Sequence, residues 1–109
     1  MNTSRFVTNQ PNSLKPTQGA AHLTATTISN TAVASSAIGT LHADTEFVTF
    51  QVGTDNVRMT INGTTPTSAV GLLIFVGQLV TLSRSEWVNA KFIRVTADAS
   101  IQGIQERAA

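Results

Sequence analysis

Apolar residues along this chain recur at every second position in short bursts, and glycine, proline, asparagine and aspartate separate the bursts. The clearest burst is Glu46 to Val52, where Val48, Phe50 and Val52 share one face and Phe47, Thr49 and Gln51 the other. Such alternation predicts a half-buried strand. Gly53-Thr54-Asp55-Asn56 then turns the chain, and Val57, Met59 and Ile61 face inward while Arg58 and Thr60 face out. These two runs are expected to pair as a hairpin. Leu72 to Val76 has no polar face, so both of its sides need cover, one from the core and one from a subunit contact. Gln78 to Ser83, Lys91 to Thr96 and Ser100 to Arg107 complete the strong strands, with Ala97-Asp98-Ala99 as a turn, and Ala21 to Ile28 and Ala32 to Ile38 are weaker candidates.

Only Ser83 to Ala90 breaks the alternation. It reads as a single helical turn with Ser85 as N-cap and Trp87 fastening it to the core. No segment carries a long helical period. Seven to eight short strands at this spacing predict an all-β fold, a single small β-sandwich of jelly-roll or immunoglobulin-like type. Residues 21–109 form this domain. Residues 1–20 form an extended polar N-terminal arm, since Asn9 to Gly19 holds two prolines, several amides and little apolar content. Phe6, Val7 and Leu14 are the arm's candidate anchors on a neighbouring subunit.

Composition sharpens this picture. Charged residues make up 12% of the chain, about half the usual share of ~25%. Seventeen threonines take up the slack, and their stiff β-branched side chains favour strands. Low charge with many hydroxyls suits a protein inside an assembly. The net charge is +1 with no basic stripe, so nucleic acid is not an expected partner. The 109 residues include no cysteine, which excludes disulfides, thiolate catalysis and thiolate metal sites. The N-terminus lacks the apolar core of a signal peptide, and no run reaches the ~18 residues that span a bilayer. No membrane role is expected, and the Asn2-Thr3-Ser4 and Asn62-Gly63-Thr64 sequons are expected to go unused.

The search for chemistry is mostly negative. His42, Asp44 and Glu46 would share a face if extended, about 7 Å apart, a spacing at which three side chains converge poorly on one ion. They are read as a solvated loop, and His22 as structural. No carboxylate pair, phosphate-binding glycine pattern or nucleophile elbow is present. The expectation is a non-enzyme without catalytic residues, metal, cofactor or small-molecule substrate. All seven glycines are placed at turns or strand joints.

The stretch Val57-Arg58-Met59-Thr60-Ile61-Asn62-Gly63-Thr64-Thr65-Pro66-Thr67, followed by Gly71 and an apolar strand, carries further meaning. It resembles a segment of many small tailed-bacteriophage proteins, V-R-[YF]-T-x-D-G-T-x-P-T, then a short loop, a glycine and two hydrophobic strands. Asn89 to Ile101 is similar to their closing strands, and the resemblance covers roughly residues 46 to 107. A similar turn decorates chitobiase-type and immunoglobulin-like accessory domains. Asn62 stands where Asp is usual, which keeps the turn chemistry and removes a charge.

The resemblance implies a virion component, and the expected function is a structural decoration or cement protein on the capsid exterior. It would be made in the host cytoplasm, with the major capsid protein and itself as partners and a homotrimer as the favoured oligomer. Leu73, Phe75 and Trp87 are the candidate subunit contacts, with core packing as their alternative. Asn62, Gly63, Pro66 and Gly71 are the structural turn. The alternatives are a head-tail, neck or head-fibre component, and a carbohydrate-binding or adhesion module. The last is poorly supplied with stacking platforms, having one Trp, no Tyr and five Phe.

Overall fold

A computed structural model describes residues 14–16 and 21–108. Nine strands are present among them: β1 (Leu14–Pro16), β2 (His22–Ile28), β3 (Val33–Ala34), β4 (Phe47–Gly53), β5 (Val57–Thr60), β6 (Leu72–Ile74), β7 (Leu79–Ser83), β8 (Lys91–Arg94) and β9 (Ala99–Ala108). They form two antiparallel sheets. In the larger, β9 lies between β4 and an edge shared by β1 and β2, and β7 flanks β4 on its other side. The smaller runs β3-β8-β5-β6.

The pairing is nested. His22 faces Ile104, Val33 faces Phe92, Val48 faces Leu82 and Arg58 faces Leu73. Residues 22–60 therefore lie against residues 72–104 as one long hairpin, folded over so that its successive ladders fall alternately in the two sheets. Its tip is residues 61–71, the Asn-Gly and Thr-Pro stretch. From β2 onward, every connection except β5 to β6 crosses between sheets.

One core serves both sheets. Val48, Phe50, Val52, Val80, Leu82 and Ile101 enter from the larger, and Val57, Met59, Ile74 and Phe92 from the smaller. Phe50 meets Phe92 edge-on at 5.4 Å, and Trp87 sits 5.7 Å and 5.8 Å from them. Aromatic groups in these tilted geometries gain about 0.5–1.5 kcal/mol per pair beyond area burial. Trp87 belongs to the short helix α1 (Arg84–Val88).

Four expectations need correction. The strands 46–52 and 57–61 are not a hairpin, because both sides of β4 are taken by β7 and β9. The turn at 53–56 carries the chain across to the other sheet, where β5 faces the same core, and alternation is satisfied equally by either arrangement. The N-cap of α1 is Ser83, not Ser85: Ser83 Oγ accepts from Glu86 N, and the Glu86 carboxylate accepts from Ser83 N. That reciprocal pair outweighs a single serine one residue inside the helix. The expected strand 32–38 shrinks to β3 followed by a 3-10 helix, Ser35–Ala37, where buried Ser35 donates to Trp87 O at 2.5 Å. Gly103 lies within β9 rather than at a joint. A Cβ there would stand 2.6 Å from Thr49 O and 3.0 Å from Phe50 Cβ, so only glycine lets the two central strands approach this closely.

Candidate interaction surface

The hairpin tip is held by local polar contacts. Gly63 has φ +84°, and the Asn62 side-chain oxygen accepts from Thr64 N at 3.1 Å. Thr60 donates to Thr64 O. Pro66 is buried while its neighbours are exposed. Thr67 and Val70 exchange backbone hydrogen bonds, and Thr67 Oγ1 accepts from Val70 N. The Arg58 guanidinium donates to Ser68 O at 2.8 Å and Gly71 O at 3.0 Å. Gly71, at φ +128°, lets the chain pass against Met59 and Arg58, where a Cβ would come within 3.1 Å of Met59 O. The four predicted turn residues thus act together to deliver the chain into β6.

β6 ends the smaller sheet. It pairs with β5 on one side, and no strand among the described residues pairs with the other. Ile74 is buried, but Leu72 and Leu73 are each 37% exposed. The turn after β6 points two more apolar side chains outward, with Phe75 57% and Val76 51% exposed. This turn is firmly built: Val76 N donates to Asn56 Oδ1, Phe75 N to Gln78 Oε1, Gln78 N to Phe75 O, and Gly77 N to Val52 O at 2.7 Å. Together with half-exposed Val70, these residues place exposed apolar side chains along the margin from the tip to the β6–β7 turn. No Asp, Glu, Lys or Arg occurs between Arg58 and Arg84.

Of the predicted contact residues, Leu73 and Phe75 fall on this margin. Trp87 does not; it is 1% exposed and completes the core, so core packing is its role. Leu14 lies in β1, with its backbone paired to Ala108 of its own chain, which takes part of the expected arm into the larger sheet. Phe6 and Val7 lie outside the described residues. Val70 was missed by sequence reasoning, and Val76 was marked only as the end of the apolar run Leu72 to Val76; edge placement shows both exposed.

Several other polar groups hold loop 40–45 to the body. Buried Gln105 accepts from His42 N and Thr45 Oγ1 and donates to Thr40 O, fastening loop 40–45 to β9. Arg84 donates to the carbonyls of His42 and Thr45, and Asp44 lies 3.6 Å from Arg107. His42, Asp44 and Glu46 lie in the segment that leads into β4, and His22 is exposed on β2. Among the described residues no three His, Asp or Glu side chains gather as a metal site would require, and no helix is long and apolar enough to cross a membrane. No protein-family model, curated protein or solved structure matches the chain.

Proposed function

We propose that this chain is a non-enzymatic structural protein of a tailed-bacteriophage virion, a jelly-roll module that decorates and stabilises the capsid exterior and associates with its own copies through the β6 margin. The observation that carries the reading is the exposed, uncharged apolar margin Val70–Val76 on a threonine-rich body that is otherwise well satisfied. Patches of this kind mark protein contacts. The strand order supports the jelly-roll type. Counted from β2, the eight strands run 1-8-3-6 in one sheet and 2-7-4-5 in the other, the order that results from winding one long hairpin into two sheets. Jelly rolls serve viral capsids and lectins alike, so fold alone does not choose between them. The side chains favour the capsid role: among the described residues Phe75 is the only exposed aromatic, too little for a sugar-stacking face.

Cryo-EM of the phage particle that encodes the chain tests this. Density repeating over the icosahedral lattice is expected. Density confined to one vertex would move the protein to the neck or a fibre base. Absence from the particle would overturn the virion reading, and a glycan array would then test adhesion.

A further inference from the structure

We infer that β6 joins two copies of this chain edge to edge about a twofold axis, Leu72–Ile74 of one copy running antiparallel to Leu72–Ile74 of the other. The inference rests on the self-association proposed above and assigns it a symmetry. It replaces the expected trimer with a dimer or a multiple of dimers, because a strand can pair antiparallel with its own copy only about a twofold.

The sheet edges differ in their protection. Exposed edges are normally blunted by Lys, Pro, bulges or extreme shortness. β1 carries Lys15 and Pro16, β2 has an irregular register between Leu23 and Thr26, and β3 is two residues long. β7 is an open edge too, but Val80, Thr81 and Leu82 are buried in the body, so it offers backbone without exposed apolar side chains. β6 is also short, at three residues, but it carries no Lys, Pro or register shift and adds the exposed apolar side chains of Leu72, Leu73, Phe75 and Val76.

A second copy suits this edge better than an unlike partner of high charge. The margin is uncharged, so two copies meet without like-charge conflict, and a charged partner would find no counterion on it. The nearest cation, Arg58, is tied to Ser68 O and Gly71 O and sits one strand inward. Across a β6–β6 pair the two Arg58 side chains are three strand spacings apart, about 14 Å, beyond the ~8–10 Å screening length.

Centring the pair on Leu73 overlaps both strands fully and brings the two Leu73 Cα atoms to about 4.5–5.5 Å, within disulfide reach. The chain has no native cysteine, so Leu73→Cys introduces the only thiol. Mild oxidation of that variant is expected to give a covalent species of twice the 11.5 kDa chain mass on non-reducing gels. Sedimentation of the unaltered full chain is expected to show the same doubling. Leu73→Lys should weaken dimerisation by about 100-fold or more, because pairing would desolvate an unpartnered charge, with circular dichroism unchanged. A mass of three chains, a monomer even at millimolar concentration, or a dimer indifferent to Leu73→Lys with no Leu73→Cys crosslink would each overturn the inference. A dimer that never reaches a phage particle leaves it standing and removes the virion reading. A particle decorated by trimers or monomers does the reverse.

Discussion

β4 and β6 are both written largely in apolar residues, yet they meet opposite fates. β4 has a neighbour on each side, and its burial alternates cleanly, with Val48, Phe50 and Val52 inside and Phe47, Thr49, Gln51 and Gly53 half-buried. β6 has one neighbour among the described residues, and two of its three side chains remain exposed. Hydrophobicity alone does not distinguish them. Position in the nested hairpin does: β4 lies in its middle, where the returning limb supplies both β7 and β9, whereas β6 follows the tip and sits at the rim. The first strand therefore lies at the centre of the body, and the second lies at its exposed rim.

Substitutions should separate the two strands by size of effect. Phe50→Ala should cost the most, about 3–5 kcal/mol of unfolding free energy in urea titration, since it leaves a cavity beside Trp87 and Phe92. A loss under ~1 kcal/mol would mean that β4 is not the centre of the core. Gly103→Ala should follow at about 1–3 kcal/mol, because the new methyl meets Thr49 O and the Phe50 backbone, which can yield only by parting the strands. Phe75→Ser should change monomer stability by no more than ~0.5 kcal/mol, as the ring is 57% exposed. A Phe75→Ser cost near that of Phe50→Ala would erase the contrast between core and margin.

The smallest expected effect concerns pH. Asp55 closes the β4–β5 crossing by accepting from Ala97 N at 2.6 Å and Asn56 N at 2.8 Å. The Ala97 contact, then the Asn56 contact, holds its pKa below the ordinary value; slight burial opposes them, and the nearby Arg94 charge adds to the lowering. A lowered folded pKa means that this stabilisation is complete above the unfolded value, about 3.9, and is lost as pH falls through the folded one. Asp55→Asn should therefore be less stable than the parent at neutral pH, with the gap narrowing under acid in urea midpoints measured across that range. A gap that widens with acid would contradict this.

The strands legible in the sequence were those whose alternation is unambiguous. The expected strands at 46–52, 57–61, 78–83 and 91–96 are found as β4, β5, β7 and β8, with the last ending two residues early at Arg94, and Gly71 precedes β6 as the turn residues indicate. Leu72 to Val76, whose two-sided apolarity stands out in the sequence, is partly exposed among the described residues. Trp87 was read both as fastening the helical turn to the core and as a candidate subunit contact, and its burial beside Phe50 and Phe92 selects the first. The Ser83–Glu86 capping box was visible as Ser-x-x-Glu and outranks Ser85. Val70 carried no signal of its own, and Val76 none beyond its membership of the apolar run. Valine is ordinary in a core, and only the edge placement exposes these two.

What the sequence determined by itself was local: which residues alternate, where the chain turns, and that the fold is all-β. These follow from φ/ψ preference and side-chain period, which act over a few residues. Which strand lies beside which was decided only by the tertiary structure. Arg58 with Leu73 is a near neighbour pairing, but His22 with Ile104 spans most of the chain. Alternation fixes the face a side chain takes and leaves its partner open. The competition among strands for one shared core chose the nested order, and that order left β6 at the rim.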